Sequence, residues 1–92
     1  MRPLSTGDLR YLLKGHLGIV QCVAFSPDGR RLVSAGYHNL IKIWDTETGM
    51  PILTLRGHAV GIPGLAFARD GCYFVTASND RTLKIWDAGS RN

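Results

Sequence analysis

Apolar residues come in short bursts along this chain, and each burst is stopped by a cluster of glycine, proline, aspartate or asparagine. Ile19 to Phe25 is rich in valine and isoleucine and ends at Ser26-Pro27-Asp28-Gly29. Its length and abrupt stop favour a strand over a helix. Pro27 presets the backbone for a turn, and Gly29 can take the positive φ that a hairpin needs. Arg31–Ala35 and Leu40–Trp44 follow as further strands, joined by a short polar connection. Asp45-Thr46-Glu47-Thr48-Gly49 is another turn, built of residues that hydrogen-bond their own backbone. Pro51–Arg56 is the next strand. Leu9–Lys14 matches it one period earlier, with apolar Leu9, Tyr11 and Leu13 in alternation.

The pattern is then written a second time. Gly15 to Asp45 and Gly57 to Asp87 align without a gap: His58 minus His16, Phe67 minus Phe25, Gly71 minus Gly29 and Trp86 minus Trp44 are each 42. Ala68 and Arg69 replace Ser26 and Pro27, but Asp70 and Gly71 keep the more demanding half of the turn. Tyr73–Ser78 and Leu83–Trp86 repeat the later strands. Each unit therefore predicts four short strands and no helix. A head-to-tail repeat of this length means stacked supersecondary units that cannot bury their apolar faces alone. Strands at such spacing indicate an all-β fold, and a four-stranded meander in tandem suits a propeller blade.

These residues resemble the WD-repeat (WD40) β-propeller family. Both copies carry its Gly-His start, Gly15-His16 and Gly57-His58, and its Trp-Asp end, Trp44-Asp45 and Trp86-Asp87; the first also has the Ser-Pro-Asp-Gly turn. The expected architecture is two four-stranded antiparallel blades of an incomplete propeller, the second lacking its outermost strand in cis. The divisions are a polar leader over 1–8, an outermost strand of a missing or neighbouring blade over 9–14, repeats over 15–56 and 57–87, and a polar tail over 88–92.

The resemblance implies a side-chain tetrad that locks each blade: His58, Thr76, Asp80 and Trp86 in the second copy. The chemistry is coherent, because an indole N–H only donates, a carboxylate only accepts, and a hydroxyl and a neutral imidazole do both. The ionised end makes the last link charge-assisted. In the first copy His16, Ser34 and Trp44 match, but His38 replaces the aspartate. A looser blade with His38 turned to solvent is the expectation. A pH-sensitive imidazole pair and an opportunistic metal site stay open as alternatives, the latter without a third ligand. Hydroxyl, imidazole and carboxylate are also the types of a catalytic triad. The tryptophan occupies the hydroxyl, however, and no nucleophile elbow accompanies it. No enzyme activity and no cofactor are expected.

Composition narrows the partners. The 92 residues are 45% hydrophobic and 20% charged, which is ordinary for a globular domain. The formal net charge of +4 is scattered, with only Arg30 and Arg31 adjacent, so neither nucleic acid nor a membrane is expected as a partner. Cys22 and Cys72 are not equivalent and have no neighbouring cysteine, so they read as free buried thiols rather than a zinc site. The N-terminus has no signal-peptide core, and an intracellular, cytoplasmic setting is the default.

Two blades fall short of the about four to eight in a closed propeller. Val23, Phe25, Leu65, Phe67 and Ile85 are expected on large open flanks. The favoured function is a non-catalytic protein–protein interaction scaffold, part of a fragment or short form of a larger propeller. The alternative is a self-assembling element, with three or four chains closing a six- or eight-bladed ring. By resemblance the partner surface comprises Tyr37, Ile19, Gln21, Gly61, Pro63 and Asn79. Tyr37 leads, since an aromatic with a polar tip suits a contact hot spot. Pro63 has a structural reading as well, because it removes a donor from an inner edge.

Overall fold

The computed structural model describes residues 9–16, 18–36, 40–57 and 61–88. They form seven strands: β1 (Val20–Phe25), β2 (Arg31–Gly36), β3 (Leu40–Asp45), β4 (Pro51–Arg56), β5 (Gly64–Phe67), β6 (Tyr73–Ala77) and β7 (Leu83–Asp87). Every pairing is antiparallel between neighbours in sequence, giving a four-stranded sheet β1-β2-β3-β4 and a three-stranded sheet β5-β6-β7. Among the described residues the second sheet has three strands, as its sequence predicts. Residues 9–16 pair with no strand among the described residues; Leu9–Lys14 is expected to belong to a missing or neighbouring blade. Tyr11 instead donates its hydroxyl to the Glu47 carbonyl at 2.5 Å.

Period-2 alternation sorts the side chains of each sheet onto two faces. Opposite Val33 and Ala35 on β2 stand Ile43 and Ile41 on β3, and this branched aliphatic face is buried. It packs against the aromatic face of the second sheet. There Phe67 lies opposite Phe74, and Phe74 opposite Trp86, with ring centroids 5.5 Å and 6.3 Å apart. Phe74, Ile41, Ile62 and Val33 are the largest fully buried apolar side chains. Thus one face of each blade makes the core. Leu65 and Phe67 are half-buried and pack against that core, which corrects their expected place on an open flank; Val23, Phe25 and Ile85 are exposed.

The sheets meet most closely along their first strands, β1 and β5. A bulge falls at Gln21, since Val20 pairs with Gly36 while Cys22 already pairs with Ala35. Bulges redirect side chains, and here the Gln21 Oε1 accepts the Ile62 N–H at 2.7 Å. The Cys22 thiol donates to the Ile62 carbonyl at 3.0 Å. Arg31 donates to the Ala88 carbonyl at 3.3 Å on the same interface. Both cysteines are half-buried rather than fully enclosed, and burial pushes the Cys22 thiol pKa up.

The turns follow their chemistry. Asp28 and Asp70 each accept a backbone N–H two residues on, from Arg30 and Cys72, at 2.9 Å. Gly29 and Gly71 sit at φ 74° and 77°, a region that side chains disfavour. Gly36 is required for another reason: a Cβ there would lie 2.2 Å from the Ile19 carbonyl oxygen. One period later Ser78 occupies this place, and its hydroxyl donates to the Gly61 carbonyl at 2.7 Å. The difference arises because β1 starts at Val20 and pairs with Gly36, whereas β5 starts only at Gly64, after Pro63. Gly36→Ser should therefore cost about 1–3 kcal/mol by overpacking. Ser78→Gly should cost about 1 kcal/mol for the lost hydrogen bond. Urea midpoints of the two variants check the order; a milder Gly36→Ser would contradict it.

Candidate functional site

Two arrangements could carry function: the polar network inside each blade and the loop surface beside the first strands. In the first blade, β2 brings Ser34 opposite Lys42, and the next pair on the same face is Leu32 with Trp44. The Trp44 indole N–H donates to Ser34 Oγ at 2.9 Å, and His16 Nε2 lies 2.7 Å from the same oxygen. Trp44 and Ser34 are buried. His16 Nδ1 is buried and has no hydrogen-bond partner among the described residues. That is where the tetrad chemistry calls for a carboxylate.

The second blade repeats the centre of this network. Trp86 Nε1 donates to Thr76 Oγ1 at 2.9 Å, and Thr76 is fully buried. Asp80 holds the turn before β7 by accepting the Thr82 N–H at 2.9 Å and the Thr82 hydroxyl on Oδ1. The Asp80 N–H reaches Ser78 Oγ at 3.1 Å. His58 and His38, the remaining members expected of the two tetrads, lie outside the described residues.

Electrostatics distinguish the first network. Burial lowers the His16 pKa below its usual 6.5, and the nearby Lys42 ammonium lowers it further. Lys42 itself donates to Thr54 Oγ1 at 2.8 Å and lies 5.8 Å from the centre of the Trp44 ring. The folded ring therefore holds its proton less tightly than the unfolded one. Stability from the neutral imidazole is complete above the unfolded value of 6.5 and is lost as pH falls through the lower folded value. Acidification from neutral pH should thus destabilise the chain. His16→Asn should flatten that dependence, measured as urea midpoint against pH. An unchanged slope in the variant would assign the effect to other groups.

The expected surface residues separate into two kinds. Ile19 (68% exposed), Pro63 and Asn79 face solvent. Gln21 is half-buried and bonded to Ile62, and Gly61 is buried beneath Ser78. Tyr37 lies outside the described residues. The internal use of Gln21 was hidden in the sequence because it depends on a one-residue bulge. A small residue at 36 opposite a serine at 78 was the available hint of unequal strand starts.

Paired four- and three-stranded meanders, stacked face to face and meeting along their first strands, define a pair of propeller blades. The model of the WD domain, G-beta repeat family matches residues 7–45 and 49–87, and the chain belongs to that family. The chain is similar to ribosome assembly protein 4 of Saccharomyces cerevisiae, with 46% identity over 52 residues, covering 56% of this chain and 10% of that protein. It is similar to the small ribosomal subunit protein RACK1z of Arabidopsis thaliana, with 40% identity over 52 residues, covering 56% of this chain and 16% of the relative. Among solved structures, the WD40 repeats of RRP9 superpose with a TM-score of 0.80 at 26% identity, covering 83% of this chain and 24% of that one. The chain spans about a sixth or less of the length of these curated relatives.

Proposed function

We propose that this chain is a non-catalytic, intracellular protein–protein interaction scaffold that works as a two-blade share of a larger propeller. The observation that carries the reading is that its polar side chains of catalytic type are spent on structure. Ser34 and Thr76 are each bound to a buried or half-buried indole, and Asp80 caps a turn. The tetrads His58–Thr76–Asp80–Trp86 and His16–Ser34–Trp44, with His38 in the carboxylate position, then act as fasteners. The loop surface is left for recognition. Ile19, Pro63 and Asn79 would contact a protein partner, Tyr37 is a further candidate outside the described residues, and Gln21 and Gly61 shape the surface from within.

The relatives support the class: one is named for ribosome assembly, another as a small ribosomal subunit protein. A protein partner is accordingly the reading for this chain. The test is a quantitative capture from cell extract with the wild-type chain and with Ile19→Asp, Pro63→Asp and Asn79→Ala combined. Proteins held by the wild type should be lost from the triple variant while its circular dichroism is unchanged. Equal retention would contradict the surface assignment. Hydrolase activity abolished by His58→Ala without loss of fold would contradict the non-catalytic reading.

One observation favours a second reading, in which the larger propeller is assembled from copies of this chain: both open flanks match halves of an interface the chain already makes.

A further inference from the structure

Charges that are scattered along the sequence are sorted by the fold. In the first sheet one end collects the start of β1, the end of β2, the start of β3 and the end of β4; in the second it collects the start of β5, the end of β6 and the start of β7. The bonds of Gln21 and Cys22 to Ile62 set these ends side by side. Ile19, Pro63 and Asn79 all lie there. So do Arg56, at the last position of β4, and Arg81, in the turn before β7, while Lys42 and Lys84 stand in the nearer halves of β3 and β7. Asp80 is the one carboxylate at this end among the described residues, and it is turned onto Thr82 within its own turn. The opposite end holds Asp28, Asp45, Glu47, Asp70 and Asp87 against Arg30, Arg31 and Arg69. One end of the blade pair is thus cationic, and the other carries the acids.

Specific contacts gather the cationic end into one surface. Ser78 donates its hydroxyl to the Gly61 carbonyl at 2.7 Å, which holds the turn bearing Asn79 and Arg81 beside Pro63. The Gln21 Oε1 accepts the Ile62 N–H, which holds the start of β1, with Ile19, against the same segment. Where the chain leaves β4, a Cβ at Gly57 would lie 3.5 Å from the Lys84 Cδ, so Arg56 joins this surface at its outer margin. Arg56 and Arg81 are exposed, and neither guanidinium has a hydrogen-bond or ion-pair partner among the described residues. Arg81 stands out on a second count. It sits at φ 75°, the one non-glycine residue with a positive φ among those described, in a conformation that Gly29, Gly49 and Gly71 fill elsewhere. Glycine would adopt it without steric cost, and side chains held in such strained conformations cluster where ligands are clamped.

We infer that this end takes an acidic peptide segment of a protein partner, with an apolar side chain seated on Ile19 and Pro63 and carboxylates reaching Arg81 and Arg56. The inference rests on the scaffold reading above and supplies the chemistry of its partner. Opposite charge steers such a segment to this end, and the carboxylates at the other end repel it. The planar guanidinium fork matches a carboxylate with two parallel hydrogen bonds. Single-stranded nucleic acid would share the attraction, but it binds by stacking its bases on aromatic side chains. The exposed aromatic residues among those described lie at the acidic end: Phe25 closes β1, Tyr73 opens β6, and Tyr11 is bonded to the Glu47 carbonyl. An apolar contact beside unpaired cations suits a peptide that mixes glutamate or aspartate with leucine or valine.

The test is fluorescence anisotropy of a labelled glutamate-rich peptide with a central leucine, titrated with the purified chain at low and at raised salt. The wild type should bind it, and added salt should weaken the binding. Arg81→Gly and Arg56→Gln should each raise Kd, and together by on the order of tenfold. Arg81→Gly also relieves the backbone, so its urea midpoint should hold or rise, which separates a lost contact from a lost fold. Arg30→Gln with Arg69→Gln, at the acidic end, should leave Kd unchanged. The same peptide with lysine in place of glutamate should not bind. No binding of the acidic peptide, equal binding of the lysine peptide, an equal loss from the Arg30 and Arg69 pair, or a uridine RNA held more tightly through Arg56 and Arg81 would each overturn the proposal. Should the acidic peptide fail while the combined Ile19, Pro63 and Asn79 variant still loses its captured proteins, the acidic partner falls and the scaffold reading stands.

Discussion

Phe74→Ala is expected to remove about 3–5 kcal/mol of stability, the range for a fully buried aromatic truncated to a methyl. Phe74 is 1% exposed and sits at the centre of the interface between blades, between the Phe67 and Trp86 rings on its own sheet and against the aliphatic face of the other. Small domains retain only about 5–15 kcal/mol in total. A chain of this size with two open flanks lies at the low end, so the variant should be largely unfolded or close to it. The measurement is a urea titration followed by tryptophan fluorescence at one fixed protein concentration, since association would shift the midpoint. Met50→Ala, at an exposed position in the turn before β4, is the control and should stay within about 0.5 kcal/mol of wild type. Similar costs for the two would mean that the blades do not stack through Phe74.

The second large effect concerns the fasteners. On the proposal that the Asp80 carboxylate closes the His58–Thr76–Trp86 network, Asp80→Ala should cost about 1–3 kcal/mol, since its loss would leave those partners with unmet hydrogen bonds. Asp80 also holds the Thr82 N–H, so the turn into β7 should loosen as well. His38→Ala, at the corresponding position of the first blade, should cost clearly less. There the network already runs without an anion: His16 Nδ1 has no partner among the described residues, and the His16 pKa is lowered rather than raised. Paired urea titrations of the two variants decide it. Equal losses would mean that both blades are fastened alike and that the histidine substitutes for the carboxylate.

Much of this fold was legible in the sequence because strand, turn and repeat signals agreed. Pro51–Arg56 is a strand at the limits its apolar run predicts, and β6 and β7 differ from the predicted bounds only by a residue at their ends. The Asp-Gly turns were readable because aspartate and a positive-φ glycine each supply something the backbone needs there. Which face is buried was less legible. Phe25 and Phe67 occupy the same place in the two copies, yet one is exposed and the other is half-buried against the core. Periodicity assigns a residue to a side of a sheet, but only the presence of a neighbouring sheet decides whether that side is covered.

The candidate site divides along similar lines. The Trp44–Ser34 and Trp86–Thr76 bonds follow from residues placed opposite or diagonal across a regular ladder, which the repeat register makes readable. The roles of Gln21 and Gly61 depend on the bulge in β1 and on the late start of β5, which no local pattern announces. Single residues in loops are set by contacts distant in sequence, and a repeat of one copy cannot disclose them.

The central claim is that the two written copies are separate sheets stacked aliphatic face on aromatic face. Nuclear Overhauser contacts between the Phe74 ring protons and the methyl groups of Val33, Ile41 and Ile43 test it most directly, since those residues lie in the other repeat. The account predicts cross-peaks from the Phe74 ring to these methyls. Contacts from the ring confined to residues 61–88 would contradict it.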